Sequence, residues 1–326
     1  MWLVRRICFT SFFVFLFYSL DAAYIVRNGK LIEEKYIATM SAEEHFEAGK
    51  RAMFRENWRE ANKQFLIISV NFPESSLPDA LDYYVGLSYY RMQEYDLAND
   101  YLSSYLKNSN RSEFFYEVLQ YKFFIADQFS RGAKKHIFGL EKMPKLVSGE
   151  EDALLLYEEI IHTLPSHDLA AKSFFAKAAL LSQMENFKES NEAYQNLLRR
   201  FPKHELAPQA YLSLADLYLR QCRLHSRNPD LIDRARINLK KFSKNFPVHK
   251  NIKDAEIKFM EMQEVYAKEL YLTGKLYERK KQLSASVVYY SNAALEYPET
   301  SAAKLAQERL CELKDFVRQI GLEGDF

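Results

Sequence analysis

Few residues in this 326-residue chain have the types and spacings that catalysis or metal binding requires. His162 and His167 are five positions apart with Pro165 between them, so they do not share a helix face, and no further ligands accompany them at a metal-site spacing. Cys222 lies near His225, but no third group is suggested that would orient the imidazole as a base, so the thiol reads as a helix-end cysteine. The chain contains no GxGxxG, P-loop, HExxH or CxxC pattern. Glu150, Glu151 and Asp152 stand at a helix start, where carboxylates complement the dipole. Asn110-Arg-Ser112 is a glycosylation sequon, which has meaning only in a eukaryotic secretory pathway. The residues therefore call for no enzyme chemistry, no cofactor and no metal.

Composition points to binding through packed helices. The chain is 48% hydrophobic and 27% charged, as folded soluble proteins are. Its net charge of +1 carries no general attraction for polyanions, so nucleic acid is not expected as a partner. Tyr (22) and Phe (24) are abundant while Gly (9) and Pro (9) are scarce, which suits helices joined by short turns. Of three cysteines, Cys8 lies in the leader; whether Cys222 and Cys311 pair is open.

Residues 1–22 read as a secretory signal peptide: Arg5 and Arg6, an apolar run from Ile7 to Leu20, then Ala22 for cleavage. The run is shorter than the ~20 residues a membrane-spanning helix needs. Whether it is cleaved or kept as a signal anchor, the bulk of the chain is expected outside the cytoplasm. Residues 23–40 contain Asn28-Gly29 between apolar flanks, which predicts a β-hairpin or an extended arm that docks on something larger.

From Ser41 a helical period takes over, opened by a capping box at Ser41 and Glu44. Small residues then recur twelve positions apart: Gly49 with Ala61, Gly86 with Ala98, Ala178 with Ser190, Gly274 with Ser286. An aromatic or leucine follows four positions later (Phe65, Leu102, Tyr194, Tyr290), and Pro73, Pro202 and Pro298 end three of these units. This is the layout of the tetratricopeptide repeat (TPR), a helix–turn–helix of roughly 34 residues. The small pair lets two helix axes approach, and proline ends the second helix because it lacks the amide donor. The expectation is an all-α TPR superhelix of five to six helix pairs. Residues 41–130 hold the N-terminal units, 131–150 an inserted loop, and 151–320 the C-terminal units and a capping helix. A third unit (Ser112 to Gln128, then Ala153 to Pro165) is interrupted by the insertion, which is either a functional loop or the joint between two halves. A fifth, with Ala215 and Ala235, holds an extra eight residues around Ser226 to Leu231.

In such a repeat the first helix of each unit lines the concave face. Counting from Gly49 and Gly86 places Phe46, Lys50, Met53 and Phe54, then Tyr83, Leu87, Tyr90 and Arg91, on that face. An aromatic floor with two cations suits an extended peptide whose terminal carboxylate meets Lys50 or Arg91.

The order of these elements resembles a known family. The leader, the N-terminal repeat pair with NFPESSLPDALDYYVGLSYY (71–90), the break, RRFPKHELAPQAYLSLADLYLRQC (199–222) and EYPETSAA (296–303) are similar to the BamD (ComL/YfiO) outer-membrane assembly proteins over about Ser41 to Leu313. The NGKLI arm and the GAKKHIFGLEKMPK insertion (132–145) resemble chlamydia-like members. The resemblance implies a periplasmic scaffold peripheral to the outer membrane. It would work with a BamA-type barrel protein, and other assembly lipoproteins would be further partners. The N-terminal repeats would meet the C-termini of unfolded barrel precursors through Phe46, Lys50, Phe54, Tyr83, Tyr90 and Arg91. The C-terminal repeats would dock the barrel partner through Arg220, Tyr271 and Lys275. The chain departs from the family in lacking a lipid-acceptor cysteine after the leader and in showing six apparent units where five are usual. Two other readings stay open: a periplasmic adaptor for peptidoglycan or division machinery, like CpoB, and an accessory subunit of an envelope enzyme.

Overall fold

The computed structural model describes residues 24–27, 30–73, 80–108, 113–224, 228 and 230–319. The leader, the Asn28-Gly29 turn, the sequon and His225 lie outside the described residues. The fold is all-α with TPR-type helix pairs and two small hairpins. The chain divides into two compact units between Asp152 and Ala153.

The first unit opens with β1 (Tyr24–Arg27) antiparallel to β2 (Lys30–Glu33), Arg27 opposite Lys30, the two-residue connection that Asn-Gly predicts. Helices α1 (Ala42–Phe54) and α2 (Trp58–Asn71) form one pair, α3 (Leu81–Arg91) and α4 (Tyr95–Asn108) the next, and α5 (Phe115–Ser130) packs on both α3 and α4. The capping box forms: the Glu44 amide donates to Ser41 Oγ at 3.2 Å and the Ser41 amide to Glu44 Oε2 at 2.9 Å. Asn71 Nδ2 donates to the Tyr36 carbonyl at 2.7 Å, which ties the chain leaving the hairpin to α2. The small positions do what close helix approach demands. A Cβ on Gly49 would stand 2.5 Å from Phe65 Cε1, and Phe65 is fully buried.

Each of four pairs turns through a left-handed residue seven positions after its small residue: Glu56 after Gly49, Gln93 after Gly86, Glu185 after Ala178 and Lys281 after Gly274, with φ from 56° to 63°. Side chains with a Cβ rarely take that conformation.

The insertion is a hairpin, β3 (Lys134–His136) antiparallel to β4 (Lys145–Ser148). Its tip exposes Phe138 and Leu140, with Phe138 itself at φ 56°, and β4 exposes Leu146. Lys142 pairs with Glu33 of β2 at 2.5 Å, so the two hairpins touch.

The second unit begins in the first turn of α6 (Glu150–Thr163), which packs on α7 (Asp168–Gln183) through Ile161 with Ala170 and Phe174. The helices expected to form the third pair are thus divided: α5 belongs to the first unit and nearly all of α6 to the second. Pairs α7/α8 (Phe187–Arg200), α9 (Ala207–Leu224)/α10 (Asp230–Asn245) and α11 (Asn251–Arg279)/α12 (Leu283–Glu296) follow, closed by α13 (Ser301–Gln319). In α9 the position seven residues after Ala215, Cys222, is still helical. The helix instead runs through a buried Cys222, which absorbs part of the fifth unit's extra length. Both Cys222 and the exposed Cys311 are free thiols. Helix α11 has 29 residues, about 43 Å of continuous helix, and serves two pairs. Met262 and Tyr266 join the core with α9, while Tyr271 meets Tyr290 of α12. Glu264 of α11 supplies the cap that α13 needs: its carboxylate accepts from the Ser301 amide at 2.8 Å, from Ser301 Oγ at 2.6 Å and from the Ala302 amide at 3.1 Å.

Candidate peptide-binding groove

First helices α1, α3 and α5 face one another in the first unit through aromatic contacts. Phe46 meets Tyr84 edge-on with centroids 5.4 Å apart, and Tyr90 meets Tyr121 at 5.0 Å. Between α3 and α5 opens a cavity of about 430 Å³ bordered by Tyr90, Arg91, Glu117, Gln120, Tyr121 and Phe124. Arg91 is exposed and its guanidinium lies 5.3 Å from the Trp58 ring centroid, a cation–π contact that holds the charge at the rim. Burial keeps Tyr90 in its neutral form by pushing its hydroxyl pKa up. The cavity therefore offers aromatic ring faces, one cation, one carboxylate and an amide.

The structure separates the six residues expected there. Tyr90 and Arg91 line the cavity. Lys50 is 42% exposed, pairs with Glu47 at 2.6 Å and lies 5.0 Å from the Phe46 ring centroid, toward the α1 side. Phe54 is 92% exposed at the end of α1. Phe46 and Tyr83, expected to be exposed on the floor, are buried at 8% and 3%. Phe46 fills the space against Phe65 and Tyr84. Tyr83 stacks on Phe114 at 4.2 Å and donates its hydroxyl to Glu117 at 2.7 Å. Aromatics facing the next helix and aromatics facing solvent share one helical period, so spacing alone does not part them. Glu117, Gln120, Tyr121 and Phe124 escaped the sequence because α5 carries no glycine to set its register.

In the second unit, Tyr271 and Lys275 border another cavity of about 320 Å³ with Glu278, Arg279, Arg309 and Glu312. Arg309 Nε donates to Glu278 Oε1 at 3.1 Å, and that guanidinium holds the Glu278 carboxyl below its usual range. Arg220, expected to act with them, is not part of that cavity's border: it donates to Ser182 Oγ on α7 at 3.1 Å.

Glu94, Asp96 and His136 place ligand atoms within 4.8 Å of one another. His136 Nδ1 faces Asp96 at 2.9 Å, its Nε2 faces Glu94 at 3.2 Å, and Lys145 Nζ reaches Glu94 at 2.6 Å. With an ammonium already at the carboxylate and both ring nitrogens engaged, the cluster acts as a clasp fastening the inserted hairpin to the α3–α4 turn. Burial pushes Asp96 up, but hydrogen bonds from the His136 amide and ring outweigh it and hold the carboxyl low. His162 lies 3.8 Å from Glu158 on the surface, while His167 Nδ1 accepts the Leu169 amide at the start of α7.

A family model described as a tetratricopeptide repeat matches residues 79–109, which cover α3 and α4. Among solved structures, the chain is similar to a TPR repeats protein from Bacteroides fragilis, at 12% identity over 84% of this chain and 100% of that one, with a TM-score of 0.40. It is also similar to YrrB, described as a TPR protein with an unusual peptide-binding site, at 10% identity over 67% of this chain and 92% of that one, with a TM-score of 0.38. A third is PilW, described as a widely conserved type IV pilus biogenesis factor, at 12% identity over 83% and 100%, with a TM-score of 0.30. No curated protein matches the chain. Helix pairs with small crossing residues, four of them turned through a left-handed residue, define a repeat fold of the TPR class.

Proposed function

We propose that this protein is a non-catalytic scaffold whose first unit binds an extended peptide ending in a carboxylate. The observation that carries this reading is the α3–α5 cavity, where Arg91 stands exposed beside the ring faces of Tyr90, Tyr121 and Phe124. A terminal carboxylate meets the guanidinium and aromatic side chains of the peptide stack on the rings. Lys50 of α1, paired with Glu47, is the second cation this reading assigns to the peptide.

The finer assignment is a periplasmic scaffold of outer-membrane β-barrel assembly. Barrel precursors would supply the C-terminal peptide, and a BamA-type partner would dock near Tyr271 and Lys275. The apolar leader and the order of the repeat phrases support it.

Two measurements test these levels separately. Fluorescence anisotropy with a peptide rich in aromatics and ending in free carboxylate should give binding that weakens at least tenfold, about 1.4 kcal/mol, on Arg91→Glu with Lys50→Glu or on amidation of the peptide. Equal affinity in all three cases removes the groove. Affinity capture from detergent-solubilised envelopes tests the finer reading: recovery of the assembly barrel supports it, and recovery of division or glycan enzymes alone sinks it.

A further inference from the structure

A second cavity, of about 480 Å³, opens in the second unit, over α9 between α8 and α10. Both walls are positive. Arg199 projects from α8, and Arg234 and Lys241 from α10, two helical turns or about 10 Å apart. Among the described residues no carboxylate borders the cavity and none of these three cations is in an ion pair. Three like charges around one cleft repel, and an anionic guest relieves that repulsion.

Between the cations the surface is apolar and fixed. Leu214 and the half-exposed Ile237 line the middle, and Tyr211 and Tyr218 form the floor. Tyr211 stacks on Phe242 at 5.1 Å and its hydroxyl accepts from Asn245 Nδ2 at 2.9 Å. Tyr218 donates to Asn191 Oδ1 at 2.6 Å. The buried Asn238 Nδ2 donates to the Tyr211 carbonyl at 2.9 Å, pinning α10 to α9. The rings are held before any guest arrives, so little ordering cost remains.

We propose that this cleft binds an acidic peptide segment of a partner protein, one with carboxylates flanking an aromatic or aliphatic side chain. The apolar residue would lie against Leu214, Ile237 and the tyrosine floor, and the carboxylates would reach Arg199 on one wall and Arg234 and Lys241 on the other. A bare phosphate would satisfy the cations and leave the apolar middle wet. The site lies in the second unit and does not depend on the groove of the first.

Isothermal titration of the whole protein with acetyl-Asp-Asp-Phe-Asp-Asp-amide tests it. Binding should weaken at least tenfold in Arg234→Glu with Lys241→Glu, and at least fivefold between 50 and 500 mM NaCl, since exposed charges are screened. Lys240→Glu, an exposed charge reversal on the same helix, should leave it unchanged. Unchanged affinity in the double variant overturns the proposal. So does equal binding of the Asn-Asn-Phe-Asn-Asn counterpart. So does a double variant that loses sedimentation with phosphatidylglycerol vesicles while no form of the protein binds the peptide; that result would assign the charges to a lipid surface.

Discussion

Glu185 and Lys281 hold left-handed backbone at φ 59° and 60°, a conformation glycine takes without steric cost. Glu185→Gly and Lys281→Gly should each stabilise the protein by about 0.5–1 kcal/mol, the relief of strain exceeding the extra freedom of the unfolded chain. Urea unfolding midpoints would show it. The opposite sign is expected at Gly49→Ala. The new methyl would collide with a Phe65 ring held between Phe46 and Tyr84, at a cost of about 1–3 kcal/mol from overpacking. The same unfolding measurement distinguishes them. These two kinds of position differ in legibility. Gly49 announced itself because only a small residue lets the helices close. The turn residues Glu56, Gln93, Glu185 and Lys281 carry no such mark, since their backbone is fixed by the two helices they join and not by their own preference. Counting from Gly86 put Tyr90 and Arg91 on one face, and both border the α3–α5 cavity, whereas Tyr83, seven residues before Tyr90 on the same count, turned inward to Phe114.

Among the elements, α13 is held by two carboxylates of α11. Burial pushes the Glu264 carboxyl up, but the bonds from Ser301 and Ala302 at the start of α13 outweigh it and leave it low. Glu278 is held low by Arg309. A carboxyl whose folded pKa is depressed adds stability that is complete above its unfolded value, near 4.5, and is lost as pH falls through the folded value. Acidification from pH 6 toward 3 should therefore destabilise the wild-type protein more than a Glu264→Gln, Glu278→Gln variant; parallel curves in urea unfolding against pH would remove the assignment. The sequence marked α13 as a capping helix from its period but not what caps it, because Glu264 and Ser301 are 37 residues apart. The insertion was legible as an interruption. Its hairpin was not: the clasp of His136 on Glu94 and Asp96 pairs residues about 40 positions apart, which no local pattern encodes.

At the scale of the whole molecule, the period of small residues was enough to read an all-α repeat fold, because each pair repeats one local packing problem. The division at Asp152 was harder to see, since the third set of helices keeps the same periodicity on both sides of it. Repeat arrays of independent pairs fray from their ends, each pair opening at its own free energy. Helix α11 removes that freedom from the second unit. One unbroken ladder of backbone hydrogen bonds runs from Asn251 to Arg279, its first half packed with α9 and α10 and its second with α12. Opening the last pair means breaking that rod or lifting all of it, so α10, α11 and α12 should exchange their amide hydrogens as one foldon. The last described helix pair should then open as slowly as the pairs before it, and the face that α11 presents keeps its shape without a partner to hold it.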